Sequence, residues 1–245
     1  MPDIRKANEL DDAIRTSPAL IAHHRIEAIA HAHYVFRRNY QELKNALDKG
    51  TDPGSILPIH DVRRRGDLDI VLMEVRRLLH NFLAAAKTVI DQTRVIITDG
   101  YRDHTFFERY KKEIQVRFAT EPTANFVQDL RNYLLHYGLP ATFSRITLSS
   151  GIHADGQTID AKITLSTDSL LSWDGWSQPS RDLLKKAGRD VDLEETARTY
   201  AASVDDFHQW LTAELTDIHS VDLAWLEDMS RQLREALGDP DRKSA

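Results

Sequence analysis

The sequence predicts an all-α protein, an antiparallel helical bundle with a β-hairpin appendage and long C-terminal helices. Three observations carry that expectation. Apolar residues recur at three- and four-residue spacing through most of the chain. Glycine and proline punctuate these runs at short joints, the pattern of helices that fold back on their neighbours. Only between Thr142 and Leu165 does the period drop to two.

Residues 1–19 read as a short helix and a turn at Thr16-Ser17-Pro18. A helix is expected from Ala19 to Lys49, with Ile21, Ile26, Ile29, Ala30, Val35 and Phe36 mostly on one side. Gly50 ends it, and Thr51-Asp52-Pro53-Gly54 is a turn signal. Ser55 to Gly66 reads as a loop ending in Arg63-Arg64-Arg65. Asp67 opens the longest helical pattern, to about Asp99, with Leu68, Leu72, Val75, Leu79, Phe82, Leu83, Ala86 and Ile90 on a broad apolar face. A further helix runs from Asp103 to Ala119 through Phe106, Phe107, Tyr110, Ile114 and Phe118. Pro122 then stands early in a helix whose stripe is Phe126, Leu130, Tyr133, Leu134 and Tyr137. Gly138 and Pro140 supply its stop signal.

Thr142 to Leu148 and Thr158 to Leu165 alternate as strands about a turn at Asp155-Gly156. Two strands alone are marginal, so this is an appendage rather than a sheet domain. Trp173 to Pro179 is irregular, and Trp173 and Trp176 are expected to pack against the hairpin or form a partner surface. A short helix follows at Ser180–Ala187. A long amphipathic helix from Leu193 to Leu237 buries Tyr200, Val204, Phe207, Leu211, Leu215, Ile218, Leu223 and Leu226, with a break near His219-Ser220. The last seven residues read as disordered. The resulting division is a bundle over residues 1–140, a hairpin over 141–166, and a C-terminal helical region over 167–245 packed on the bundle.

Composition narrows the function. The chain of 245 residues is 41% hydrophobic and holds no cysteine, which excludes disulfides and thiolate zinc sites. Met1-Pro2-Asp3-Ile4-Arg5-Lys6 carries no apolar run of a signal peptide, and no stretch approaches a membrane span. A cytoplasmic protein without membrane partners is expected. The net charge of −6 argues against strong non-specific nucleic-acid binding. Charge is uneven, however. Residues 1–140 carry 21 Lys+Arg against 19 Asp+Glu, and residues 141–245 carry 11 against 19. A polyanion would meet the first part.

The chemistry concentrates in Arg131, Asn132 and His136, near the end of the helix that Pro122 opens. An arginine holds phosphate and a histidine moves protons. Asn132 and His136 are four apart and share a helix face. Arg131 lies five before His136, about 140° round the helix, so two copies packed across a two-fold axis would pool the pair better than one. The structural alternative pairs Arg131 with Asp129 or Glu121 and leaves His136 to favour the helix dipole. Arg63, Arg64 and Arg65 are candidate phosphate-backbone contacts, or solvated loop charge. His23, His24, His31 and His33 cluster on the first long helix without a zinc pattern such as HExxH, and His80 reads as a core histidine. No Walker, GxGxxG or GxSxG sequence is present.

The phrase Arg131-Asn132-Tyr133-Leu134-Leu135-His136 resembles the motif of the HEPN superfamily, an arginine followed four to six residues later by a histidine. The loose form also fits Arg25 and His31, and so discriminates little. Arg-Asn followed by three residues and His has a chance expectation of about 0.02 in such a chain. The resemblance covers roughly residues 19–140 and implies an antiparallel bundle that dimerises through the motif helix. It further implies a metal-independent endoribonuclease with no cofactor, acting on RNA as a homodimer, with a toxin or defence role and an antitoxin or defence-system partner. Arg131, Asn132 and His136 would be catalytic. The alternative is a HEPN-like dimeric binding module without chemistry. One departure stands out. Members controlled by a nucleotidyltransferase antitoxin carry a Tyr two residues after the His, where this chain has Gly138.

Overall fold

A computed structural model describes residues 2–52, 54, 65–150 and 157–238. Arg63, Arg64, the Arg65 side chain, the Asp155-Gly156 turn and the last seven residues lie outside the described residues, as does most of the expected loop from Ser55. The described residues form nine helices and a small antiparallel sheet. They fall into two compact units, one of Met1–His31 with His208–Ala245, the other of Ala32–Phe207.

The smaller unit starts with α1 (Ile4–Arg15), capped by the Asp3 carboxylate, which accepts from the Lys6 N–H at 3.1 Å. α2 (Pro18–Thr51) begins with proline at its first position, and the Ser17 hydroxyl accepts from the Leu20 N–H at 3.1 Å. The expected turn at Thr16-Ser17-Pro18 is thus a capped helix start. α8 (Leu193–Ile218) ends before His219, and α9 (Ser220–Leu237) follows. The break expected near His219-Ser220 is therefore real. In this unit α1 packs on α9 through Ala7, Leu10 and Ala236, with Ile14, Ala19 and Leu226 beside them.

The larger unit holds the main core. α3 (Arg65–Tyr101) buries Leu72, Val75, Leu79, Phe82, Leu83 and Ala86 of its expected face. α2 differs from expectation. Its buried row is Ala22, Ile29, Phe36 and Leu43, seven apart, with Ala32 and Tyr40 between and Leu47 beyond. Ile21 and Val35 lie off that row and are exposed, as is Ala30. A long helix with apolar residues on several sides does not announce which row its neighbours cover. Phe36, Phe82 and Tyr200 meet at the core with ring centroids 5.6–6.1 Å apart. Burial pushes the Tyr200 hydroxyl well above its usual range, partly offset by the hydrogen bond from Gln128. His80 is exposed, not a core histidine, because its position falls just outside the apolar face.

α4 (Phe106–Ile114) runs into a π-helical turn at Gln115–Ala119, and α5 (Pro122–His136) follows the break at Glu121. β1 (Thr142–Ser150) pairs antiparallel with β2 (Gln157–Ser166) in the register Thr142↔Leu165 to Ser150↔Gln157. A third strand, β3 (Asp190–Asp192), adds to β2 with Leu165↔Val191. At three residues it is too short to show a period. It completes the hairpin into a sheet, and Ile163, Leu165 and Val191 join the core. α6 (Thr167–Leu171) and α7 (Gln178–Ala187) frame the segment expected to be irregular. No helix among the described residues is long and apolar enough to cross a membrane.

Candidate functional site

α5 is fixed along most of its length. The Glu121 carboxylate caps its start, accepting from the Ala124 N–H at 2.7 Å. Ala124, Phe126, Val127, Leu130 and Tyr133 form its buried face. Trp176 stacks on Phe126 and Tyr133, with centroids 5.4 and 5.7 Å away, and its indole N–H donates to the Leu170 carbonyl at 2.7 Å. Both tryptophans thus pack on α5. The sequence did not point to α5 as their partner, because the segment carrying them has no period. Asp129 docks α5 against α7. Its Oδ2 accepts from the Ser177 N–H at 2.9 Å and from the Ser177 and Ser180 hydroxyls at 2.6 Å each.

The last turn is different. Arg131 and Asn132 are half-buried and His136 is exposed. Arg131 Nη1 donates to Asn132 Oδ1 at 3.4 Å. Among the described residues no hydrogen bond joins either of them to His136, and neither Arg131 nor His136 is paired with an acid. The acids nearest in sequence are engaged elsewhere: Asp129 with the two serines, Glu121 with its cap. The helix ends as Tyr137 and Gly138 both donate N–H groups to the Tyr133 carbonyl, at 2.9 and 3.1 Å. Gly138 takes a φ of +154°, which a β-carbon would resist. Leu135, Leu139 and Phe143 are exposed around this end, and so is Tyr137, the last member of the expected stripe. The stripe fails there because the helix stops before a neighbour can cover it.

Other histidines stand beside acids. His23 lies 3.3 Å from Glu27, four residues on. His33 Nε2 meets Asp205 Oδ1 at 2.7 Å, and Arg37 Nη1 donates to Asp205 Oδ2 at 2.5 Å. Asp205 is 172 residues from His33, and nothing local in the sequence signals it. Among the described residues no three His, Cys, Asp or Glu side chains converge as a metal site. No known protein family, curated protein or solved structure matches the chain. The site therefore rests on its residues and their geometry.

Proposed function

We propose that the protein is a metal-independent endoribonuclease of HEPN type, a homodimer whose two α5 helices share one active site. The observation that supports this reading is the unquenched state of the motif. Arg131 and His136 stand at the accessible end of α5 without an acidic partner among the described residues, and Asp129 and Glu121 are committed to caps and docking. Donors left in that state are open to a phosphodiester. The angular separation of Arg131 and His136 on one helix favours a second copy, since a two-fold axis brings the arginine of one α5 toward the histidine of the other. Leu135 and Leu139 offer apolar surface for that contact.

In this reading the 2′-oxygen of a ribose forms a bond to the adjacent phosphorus, and the bond from phosphorus to the 5′-oxygen breaks. His136 of one copy takes the 2′ proton. His136 of the second copy returns a proton to the leaving 5′-oxygen. General acid–base catalysis of this kind contributes about 10²–10⁴-fold. Arg131 holds the non-bridging oxygens as charge develops on them. Asn132, on the face of His136, orients the imidazole or binds phosphate. The products are a 2′,3′-cyclic phosphate and a 5′-hydroxyl.

The test is RNA cleavage by the purified protein in excess EDTA, beside His136→Ala and a matched DNA. Cleavage of RNA alone, lost in the variant while fold and dimer persist, supports the reading. Failure of the wild type to cleave varied RNAs replaces it with a dimeric binding module.

A further inference from the structure

We infer that Tyr137, with Tyr133 and Trp173 packed behind it, forms a shelf on which one unpaired base of a single-stranded RNA stacks, next to the phosphate held by the motif. The inference rests on the RNA-directed reading above and names its substrate class. Tyr137 immediately follows His136 and is 52% exposed, yet its ring is held at both ends. One side packs on Tyr133, with centroids 5.1 Å apart. At the other end its hydroxyl lies 3.1 Å from Ser172 Oγ. Ser172 Oγ donates its own proton to the Ser169 carbonyl at 2.6 Å, so the tyrosine is the donor of that pair.

The rings behind are equally fixed. Tyr133 is 2% exposed and lies nearly parallel to Trp176. Trp173, half-buried, stands perpendicular to both Tyr133 and Trp176, at 5.7 and 5.1 Å. Its indole folds over Gly175, where a β-carbon would come within 2.1 Å of the ring. A glycine is required there for the indole to lie where it does. Preset aromatic rings lose little freedom when they bind, and every base offers a π face. Duplex bases are already stacked, so the shelf selects single strands. His136, the residue before Tyr137, and Arg131 on the same last turns of α5 favour an anionic backbone over an apolar side chain as the occupant.

The experiment measures binding of a 2′-O-methyl RNA, which lacks the attacking hydroxyl, by fluorescence anisotropy. Its arms are the single strand, its duplex, and single strands with one abasic residue moved along the chain. The proteins are the wild type, Tyr137→Ala and Tyr137→Phe. Single-strand binding is expected to weaken about tenfold or more in Tyr137→Ala and to stay within about threefold in Tyr137→Phe. One abasic position should reproduce the loss in the wild type and add nothing to Tyr137→Ala. Equal binding by wild type and Tyr137→Ala, duplex binding as tight as single-strand binding, or a flat abasic scan overturns the shelf. A flat scan with Tyr137→Ala monomeric in sedimentation assigns the ring to the contact between copies instead. The catalytic reading fails separately. Tyr137-dependent binding without cleavage of unmodified RNA keeps the shelf and removes the chemistry. Cleavage lost in His136→Ala but unchanged in Tyr137→Ala does the reverse.

Discussion

Two Arg–His pairs of the larger unit meet opposite fates, His33 with Arg37 and Arg131 with His136. In the first, the two side chains are four apart on α2 and both reach Asp205 on α8. In the second, they are five apart at the end of α5 and meet no acid among the described residues. The residue types are the same, and one carboxylate separates the two fates. Asp205 takes up the donors of His33 and Arg37 and makes of them a tie between helices. At α5 the equivalent donors stay open because Asp129 is drawn aside by Ser177 and Ser180. Arginine and histidine near one another are common, and what separates these two pairs is the presence or absence of an internal anion.

The sharpest way to break this comparison is to remove each imidazole in turn. His136→Ala is expected to lower RNA cleavage by about 10²–10⁴-fold with the melting temperature nearly unchanged, since the side chain is exposed. His33→Ala should leave cleavage intact. Single-turnover cleavage and thermal denaturation on both variants check this, and equal losses of cleavage would end the distinction between the sites.

A pH series reads out a group that the fold buries. Burial among Phe106, Phe107 and Phe207 pushes the Tyr110 hydroxyl up to about 12 from an ordinary 10.0, with the nearby Arg94 charge opposing. The folded state therefore holds this proton more tightly than the unfolded chain. Its contribution is fully present below pH 10 and is lost as pH rises toward 12. At 1.36 kcal/mol per unit this is roughly 2–3 kcal/mol. Denaturant unfolding of Tyr110→Phe should show a correspondingly shallower alkaline decline than the wild type. An identical decline would place the alkaline sensitivity elsewhere.

Local periodicity made most of this legible. The face of α3, the stop at Gly138, the strands and the joint at His219 all follow from spacing and from glycine or proline. The motif was legible as residue types at a fixed spacing on one helix. What escaped were long-range choices. Ile21 and Val35 were placed in a core row that the neighbours do not cover. The three residues of β3 are too few to show a pattern. Trp173 and Trp176 found α5 through an irregular loop, and Asp205 met His33 across most of the chain. The state of Arg131 and His136 was illegible for the same reason, since it depends on where Asp129 and Glu121 point.

The comparison also predicts how to convert one site into the other. Asn132→Asp keeps the shape and places a carboxylate where Oδ1 already receives the Arg131 bond, four residues before His136. It should act on the motif as Asp205 acts on His33 and Arg37. Cleavage and binding of the 2′-O-methyl RNA are expected to fall by about tenfold or more, because a fixed anion competes with phosphate for the same donors. Stability should change by only a few tenths of a kcal/mol, as for other charged pairs four apart on a helix. Filter binding and cleavage at two salt concentrations check it, and a variant that binds RNA as the wild type does would show that Arg131 is not the phosphate ligand.

The reverse exchange has the smallest expected effect. Asp205→Asn removes the charge from a pair whose side chains are 27–43% exposed, and such pairs contribute at most about 1 kcal/mol. The amide can still accept one hydrogen bond, so the loss should lie below that and shrink further in 0.5 M salt. The exchange takes the charge of Asp205 away from His33 and Arg37. They should nevertheless gain no cleavage. An active site needs donors placed on a phosphate as well as donors left open, and Arg38-Asn39, beside this pair, has Leu43 where the α5 motif has its histidine. New cleavage in Asp205→Asn, persisting when His136→Ala is added, would show that removing the anion alone suffices and that the motif spacing is incidental.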